Sequence, residues 1–209
     1  MEDIKNLSRK ERERNFRRQE ILSAAVKLFA GKGYEHTTLD EIAEASEFGK
    51  GTIYNYFQNK EEIYLAIIEE ILENHSKLIS EIAESSSDLK IFLTRLTKSA
   101  IKLSLENKDA FSLMVRVRTQ SAGNDPSIKS GLLQKNMEQN NKILYDKFND
   151  AINNNEIRLF DINSLINMYR SMIFPYLHFL MCCKDNESID PDKEAEFILS
   201  VLFNGILVK

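Results

Sequence analysis

The sequence contains little proline, glycine, cysteine or histidine, and each shortage removes a class of protein. Three prolines and seven glycines in 209 residues are too few for long linkers, β-barrels or β-sandwiches, whose turns depend on these residues. Leu, Ile, Glu, Lys and Asn dominate instead, which is a helical composition. We therefore predict an all-α protein. With 43% hydrophobic residues, it is long enough to bury a real core.

The few cysteines and histidines argue against a metal centre or an enzyme. Cys182 and Cys183 are adjacent, a spacing that suits neither a structural disulfide nor a metal site. We expect buried thiols, with a redox role as the alternative. His36, His75 and His178 lie on separate predicted elements. The sequence also lacks a Glu-x-x-His pair, a phosphate loop and a nucleophile elbow, so we expect no cofactor, no metal and no catalytic site.

Long apolar runs are also missing. The densest one, Met172 to Cys183, is interrupted by Pro175 and His178, and the N-terminus is charged. A membrane-spanning helix needs about 20 predominantly apolar residues. The sequence therefore predicts a cytoplasmic protein with no membrane partner.

Charge is unevenly distributed along the chain. The net charge is −4, but residues 1–60 hold 11 Lys and Arg against 10 Asp and Glu, whereas the remainder holds 17 against 22. Between Arg9 and Arg18 there are six basic residues and two acidic ones. Residues 1–16 are expected to form a basic arm that is disordered or a frayed extension of helix 1. The basic residues favour contact with phosphate or the minor groove of DNA over a merely solvated tail.

The stretch Thr37–Glu62, TTLDEIAEASEFGKGTIYNYFQNKEE, has the layout of a helix-turn-helix. Residues Thr38–Glu41 form a Ser/Thr-x-x-Glu capping box, which predicts a short helix that ends near Ser46. A second helical segment covers Gly49–Phe57. Asn59–Glu62 then caps a third helix. Two short helices joined by about four residues are typical of a DNA reader.

The second segment has two distinct faces. Ile53 and Phe57, four residues apart, anchor it to a core. The outward positions carry Lys50, Thr52, Tyr54, Asn55 and Tyr56. Nine helical residues would be roughly 13 Å long, which suits the major groove. Lysine can reach a guanine edge or a phosphate, and asparagine pairs with adenine. Thr52 and Tyr54 offer hydroxyls to phosphate and apolar surface to thymine methyls.

At these residues the chain resembles the TetR/AcrR family of transcriptional regulators. The match covers ILSAAVKLFAGKGYEHTTLDEIAEASEFGKGTIYNYFQNKEEIY, roughly forty residues in order and spacing. Two residues depart from the family pattern. Glu47 stands where the family usually turns on glycine, at a cost of about 1 kcal/mol for a left-handed residue. Gly49 replaces the frequent serine cap, which removes one possible phosphate contact.

The resemblance implies roles for individual residues in DNA binding. Base-facing or groove-floor positions would be Lys50, Gly51, Thr52, Tyr54 and Asn55. Phosphate contacts would be Thr38, Tyr56 and Lys60, joined by Arg17 and Arg18 from the basic arm. The implied partner is double-stranded DNA carrying a palindromic operator.

Two domains and about nine helices are predicted. Residues 1–62 form the arm and the DNA-binding domain, and residues 63–209 form an effector-binding and dimerisation domain. Helix 1 is expected from Arg17 to Ala30, and a long helix from Lys60 to about Ser85 bridges the domains. Later helices are expected to follow caps at Asp88, Asp125, Asp161 and Asp190, including one from Pro126 to about Ile152.

The last two helices predict a homodimer. From Met172 to Cys183, and again from Ala195 to Val208, apolar residues occupy nearly every side. A helix that is apolar all round must be covered all round, and a monomer would leave a large apolar patch exposed. Pairing with symmetry mates gives a four-helix interface. Its expected residues are Tyr176, Phe179, Phe197, Val201 and Leu202.

The family resemblance also implies a small-molecule effector in the second domain. Candidate lining residues are those that interrupt its aliphatic core: Phe92, Phe111, Met114, Arg118, Tyr169, Met172, Phe174 and His178. They favour an apolar or aromatic effector, although each is also acceptable as plain core. The predicted function is a ligand-responsive repressor. The alternatives are a sequence-neutral architectural DNA-binding protein and, less favoured, a helical-bundle enzyme.

Overall fold

The computed structural model describes residues 8–119, 125–183 and 188–204. Every long regular element in these ranges is a helix, which confirms the all-α prediction. The helices are α1 (Arg9–Lys32), α2 (Leu39–Ala45), α3 (Lys50–Tyr54), α4 (Lys60–Glu84), α5 (Leu89–Glu106), α6 (Lys108–Thr119), α7 (Pro126–Lys129), α8 (Leu132–Asn153), α9 (Ile162–Cys183) and α10 (Pro191–Asn204). Among these helices, none has the length and apolar character that a membrane crossing requires.

Helix α1 begins eight residues earlier than predicted, so the predicted start at Arg17 is wrong. The Ser8 hydroxyl accepts a hydrogen bond from the Glu11 amide at 3.3 Å, and the Glu11 carboxylate accepts one from the Ser8 amide at 2.8 Å. This capping box satisfies two amides that would otherwise be unpaired. The basic stretch is therefore helical from Arg9 onward. Residues 1–7 of the predicted arm lie outside the described residues.

The first three helices and the start of α4 enclose one apolar core. Ile21, Ala25 and Phe29 of α1 are fully buried, as are Ile42 of α2 and Ile63 of α4. Burying one such large side chain contributes about 1.5–3 kcal/mol. The core therefore holds the two short helices, which would be unstable alone because they have too few internal hydrogen bonds.

The predicted caps of the helix-turn-helix are confirmed. The Thr38 hydroxyl accepts from the Glu41 amide, and the Glu41 carboxylate accepts from the Thr38 amide at 2.9 Å. At the start of α4, Asn59 Oδ1 accepts from the Glu62 amide at 2.9 Å. Helix α3, however, is five residues long rather than nine. The amides of Asn55 and Tyr56 bond three residues back, to Thr52 and Ile53, which tightens the last turn.

Glu47 makes the turn between α2 and α3 in a left-handed conformation. Its φ is 58°, and the next amide, that of Phe48, donates to the Ala43 carbonyl at 3.0 Å. This hydrogen bond ends α2 in the manner of a helix C-cap that normally uses glycine. The strain expected from the sequence is therefore present at this residue.

We predict that Glu47→Gly raises the free energy of unfolding by about 1 kcal/mol, because glycine adopts positive φ without a Cβ clash. Chemical denaturation of the purified protein measures this change. Glu44→Gly, one turn earlier inside α2, is the matched control. It should lower stability by roughly 0.5–1 kcal/mol, because glycine is unfavourable within a helix. A Glu47→Gly variant no more stable than wild type would contradict the strain.

The predicted helix from Pro126 to Ile152 is divided in two. Asp125 and Pro126 begin α7 as expected, and the Asp125 carboxylate accepts from the Ser127 amide at 2.9 Å. The chain then turns at Gly131, whose φ is 71°, before α8 begins. An isolated glycine within a helical pattern is often tolerated, so little in the sequence predicted a helix end here. The split raises the helix number from about nine to ten in the described ranges.

Helix α5 packs against both α9 and α10. Phe92 and Leu180 are fully buried in the core of these helices. One polar contact lies within it, because the hydroxyls of Thr97 and Tyr169 are 3.0 Å apart. Burial raises the pKa of Tyr169 to about 12, so the phenol stays protonated and can donate at neutral pH.

A second polar cluster joins α4 and α8. The Asn136 amide group donates to the Leu72 carbonyl at 2.9 Å and to the Ser76 hydroxyl at 2.7 Å. The Ser76 hydroxyl donates to Asn140 Oδ1 at 3.1 Å. Each group in this cluster has a partner, so burial costs little. The cluster fixes the register of the two helices.

The chain divides into two compact units. One contains residues 1–71 and 109–132, and the other contains residues 72–108 and 133–209. This division differs from the predicted boundary after residue 62. It assigns most of α6 and all of α7 to the unit that carries the helix-turn-helix. Helix α4 runs from one unit into the other between Ile71 and Leu72.

Candidate nucleic-acid interface

Helix α3 is anchored on one side and exposed on the other. Ile53 and Phe57 are 1% and 3% exposed, respectively, whereas Tyr54 is 57% exposed. Lys50, Gly51 and Asn55 are also exposed, and Thr52 and Tyr56 are half-buried. The helix therefore presents the predicted polar and aromatic side chains outward, which a groove-reading helix requires.

The N-terminal turns of α1 lie beside the end of α3. The Arg14 guanidinium is 6.0 Å from the centre of the Tyr56 ring, and the Arg18 guanidinium is 5.3 Å from the centre of the Phe57 ring. Both distances suit cation–π attraction. Arg17 instead pairs with Glu13 at 3.3 Å. The structure thus adds Arg14 to the basic residues near the predicted interface.

Two predicted phosphate contacts also have structural partners. The Thr38 hydroxyl donates to the Glu41 carboxylate at 2.8 Å, and hydrogen bonds from Lys32 and Thr38 lower the pKa of Glu41 to about 2. The Lys60 ammonium donates to the Tyr34 carbonyl at 2.8 Å and lies 4.2 Å from the centre of its ring. An ammonium has three protons, so Lys60 retains donors for a phosphate. The roles of both residues in DNA binding stay predictions.

Tyr34 belongs to an aromatic cluster on which the Lys60 ammonium lies. The Tyr34 ring packs on Tyr64 with centroids 4.8 Å apart, and Tyr64 packs edge-on against Phe29 at 5.1 Å. The buried Tyr64 hydroxyl donates to the Asp125 carboxylate at 2.6 Å. Burial, followed by this hydrogen bond, raises the pKa of Tyr64. The cap of α7 is thereby bonded directly to the core formed by α1, α2, α3 and the start of α4, which we call the head.

Helix α6 is bonded to the same head through Arg116. Its Nε donates to the Ala30 carbonyl at 2.8 Å, and its Nη2 donates to the Gly31 carbonyl at 2.7 Å. These carbonyls belong to the last turn of α1, where a cation is favourable because of the helix dipole. The sequence identified Arg116 as basic but did not reveal this partner, which is 86 residues away.

The predicted effector residues are distributed over both units. Phe111, Met114 and Arg118 lie on α6 in the unit of the DNA-binding head, whereas Phe92 and the predicted residues of α9 lie in the other. Phe92 and Tyr169 are buried core residues, Met172 and Phe174 are half-buried, and His178 is exposed. Their role in effector binding stays a prediction.

An open groove of about 1230 Å³ lies elsewhere in the second unit. Its lining includes none of the eight predicted effector residues. Apolar walls come from Leu89, Phe148, Leu165, Leu199 and Phe203. Its charged groups are three cations, Lys90, Lys98 and Arg158, and four carboxylates, Glu156, Asp161, Asp192 and Glu196, of which Asp192 pairs with Lys98. Such a mixture suits an elongated amphipathic ligand more than a small aromatic one.

Aromatic side chains of α9 and α10 form an exposed patch. The Tyr176 ring lies 5.9 Å from Phe179 and 6.0 Å from Phe197. Phe179 is 46% exposed and Phe197 is 56% exposed, whereas the other two predicted interface residues, Val201 and Leu202, are half-buried. We call Tyr176, Phe179 and Phe197 the aromatic patch.

The adjacent cysteines are exposed, so the expectation of buried thiols is wrong. The Cys182 sulfur lies 3.5 Å from His178 Nε2, one helical turn away on the exposed face of α9. Within the described ranges, no three His, Cys, Asp or Glu side chains are grouped to hold a metal.

Comparison with known proteins agrees with this arrangement. Residues 21–67 match the model for bacterial regulatory proteins of the tetR family. YhgD, an uncharacterized HTH-type transcriptional regulator of Bacillus subtilis, is 27% identical over 164 residues, which are 77% of this chain and 84% of that protein. Residues 21–67 are a DNA-binding domain of the tetR family. With this domain at its N-terminus, the chain is a transcriptional regulator.

Two solved structures extend the similarity beyond this domain. One is a Clostridium perfringens protein named as a candidate regulator of fatty acid metabolism, with 28% identity and a TM-score of 0.74 over 91% of this chain and all of that one. The other is the Bacillus subtilis regulator FadR in complex with stearoyl-CoA, with 21% identity and a TM-score of 0.75 over 90% and 99% of the two chains. The TetR-like fold thus covers both units.

Proposed function

We propose that this transcriptional regulator is a homodimeric repressor that leaves a palindromic operator when it binds a fatty acyl ligand such as an acyl-CoA. The observation that carries the DNA-binding part is the exposed polar face of α3, fixed by buried Ile53 and Phe57. Five exposed or half-buried residues in the first two turns can meet base edges. Arg14 and Arg18, beside the end of α3, can neutralise the flanking phosphates.

Dimerisation is supported by the aromatic patch on α9 and α10. The Tyr176 ring lies 5.9 Å from Phe179 and 6.0 Å from Phe197, and these two phenylalanines are about half exposed. Such a patch is costly to leave in water. A two-fold contact through this patch would bury each ring against its copy. Two heads can then occupy half-sites about 34 Å apart, the spacing of successive major grooves.

The ligand class is supported by the groove and by the relatives. FadR of Bacillus subtilis was solved with stearoyl-CoA, and the Clostridium perfringens relative is named for fatty acid metabolism. In the present chain, the groove combines an apolar wall with lysine and arginine side chains. An acyl chain suits the wall, and the phosphates of coenzyme A suit the cations. This proposal narrows the apolar effector expected from the sequence.

The signal would reach DNA through chain segments that connect the two units along the sequence. Helix α4 continues from one unit to the other, and the segment 109–132 is bonded to the head by Arg116 and by the Tyr64–Asp125 hydrogen bond. Releasing operator DNA by a hundredfold needs roughly 2.8 kcal/mol of differential binding, which is ordinary for allosteric proteins. A shift in either segment would change the distance between the two reading helices.

A binding assay tests this proposal directly. We expect palmitoyl-CoA or stearoyl-CoA to weaken binding to the operator in the protein's own upstream region by about a hundredfold. Coenzyme A alone should have little effect, because it lacks the acyl chain. Fluorescence anisotropy with labelled operator measures both. Unchanged operator affinity in the presence of saturating acyl-CoA would contradict the ligand assignment.

A matched pair of variants tests the groove. Phe160 lines it and is 49% exposed, whereas the neighbouring Leu159 is 83% exposed and is outside the lining. Phe160→Asp should raise the acyl-CoA concentration needed for release by roughly tenfold, because it introduces a carboxylate where the acyl chain or phosphates would bind. Leu159→Asp should leave that concentration unchanged. Equal effects of the two substitutions would exclude the groove.

A further inference from the structure

The first residue of α3 is held by a carboxylate from the preceding helix. Lys50 Nζ lies 2.5 Å from Asp40 Oδ1, and the two side chains are 60% and 63% exposed. Asp40 is the second residue of α2, and Lys50 opens the helix that faces DNA. A donor and an acceptor therefore stand side by side at the edge of the proposed interface.

The stability of the head does not depend on this ion pair. Exposed pairs add little to folding because water screens both charges. The start of α2 already has its capping box, and Glu41 of that box also pairs with Lys32. The ion pair between Asp40 and Lys50 can therefore open at little cost, so that each side chain binds a partner on DNA instead.

A carboxylate at this place has few favourable partners on DNA. Phosphates repel it, and adenine N7, thymine O4 and guanine O6 are all acceptors. In the major groove, the amino group of cytosine is a donor that a carboxylate can use, as is that of adenine. In a G·C pair this amino group lies beside guanine O6, to which it is hydrogen-bonded, at about 2.9 Å.

We propose that Asp40 and Lys50 together read one G·C base pair in each half-site. Lys50 donates to guanine O6 or N7, and Asp40 accepts from cytosine N4. The observed separation of the two charged atoms matches the separation of these neighbouring base atoms, so the pair binds as a unit. An A·T pair with adenine in the place of guanine is disfavoured, because adenine N6 then faces the ammonium and thymine O4 faces the carboxylate. Asp40 is thus a specificity-determining residue, an inference that rests on the proposed insertion of α3 into the major groove.

The test compares sequence preference in wild type and three full-length variants. Asp40→Asn keeps the size but removes the charge and introduces a donor, and Lys50→Gln removes the cation. Glu44→Gln is the matched control, because Glu44 is an exposed acid on the same helix one turn later. Each protein is used to select binders from duplexes with a randomised half-site, and the selected operator is then altered one base pair at a time. Melting temperatures check that every variant is folded.

At one position per half-site, we expect wild type to prefer G·C over A·T, with adenine in the place of guanine, by roughly tenfold or more. Asp40→Asn should reduce this preference to within about threefold at that position only, and Lys50→Gln should affect the same position. Their effects there should be non-additive. Glu44→Gln should retain the wild-type preference.

Two outcomes would overturn the inference while leaving the DNA-binding proposal intact. Asp40→Asn could strengthen binding to all duplexes equally, which would mean that Asp40 merely repels phosphate. It could instead leave the selected sequences unchanged, which would mean that Asp40 does not face DNA. If wild type selects no sequence at all, sequence-specific binding fails together with this inference.

Discussion

Phe197→Glu should convert the protein to a monomer and lower its operator affinity by roughly a hundredfold or more, because linked binding sites typically gain 10²–10⁴ in avidity. Phe197 is 56% exposed and stacks near Tyr176 on α9. At a two-fold interface the substitution would bury two carboxylates against apolar rings, which is strongly unfavourable. Each detached head would then bind only one half-site.

Light scattering at micromolar concentration measures the oligomeric state, and a gel shift measures operator binding. Tyr145→Glu provides the control, since Tyr145 is a similarly exposed aromatic residue on α8, outside the aromatic patch. This control should remain dimeric and keep its affinity for the operator. If Phe197→Glu stays a dimer, the two-fold contact does not use α10.

Arg116→Met should make operator binding insensitive to the effector. The substitution keeps a long apolar side chain but removes both hydrogen bonds to the last turn of α1. If α6 carries the effector signal to the head, release should fall from about a hundredfold to within a few-fold, because coupling of 1–3 kcal/mol is lost. Operator affinity without ligand should change much less, since the hydrogen bonds of Arg116 go to the C-terminal end of α1 and not to α3.

Arg116→Lys tests the same prediction with a smaller change. Lysine keeps the positive charge near the carbonyl end of α1, but it cannot donate from two fixed nitrogens at once. It should retain part of the effector response. Operator titrations with and without acyl-CoA separate the two cases. If Arg116→Met lowers operator affinity without ligand by as large a factor as it lowers the response to acyl-CoA, Arg116 only stabilises the head.

Most of the fold was predictable because it depends on local patterns. Four features follow from residues within four positions of one another: the capping box at Thr38, the cap at Asn59, the Pro126 start of α7 and the buried pair Ile53 and Phe57. The capping box at Ser8 lies in a strongly charged segment without an apolar stripe, so the pattern of apolar residues predicts a helix α1 that is too short. The strain at Glu47 was also predictable, because this residue stands where the family that the sequence resembles usually has glycine, and its φ is indeed positive.

The effector side was less predictable. A methionine or an aromatic residue on a helix is equally compatible with a filled core and with a pocket. Phe92 and Tyr169 illustrate the point, because both are packed in the core of the second unit, whereas the groove is lined by faces of α5, α9 and α10 and by the loop before α9. Helical spacing groups the residues of one face, but it does not show which faces of different helices meet.

By itself, the sequence determined the helices, their caps and the outward face of α3, since each of these depends on neighbours along the chain. Only the tertiary structure decided that Asp40 meets Lys50, that Tyr64 meets Asp125 and that Arg116 meets the end of α1. These partners are up to 86 residues apart. Their pairing depends on how the helices pack, which local spacing does not encode.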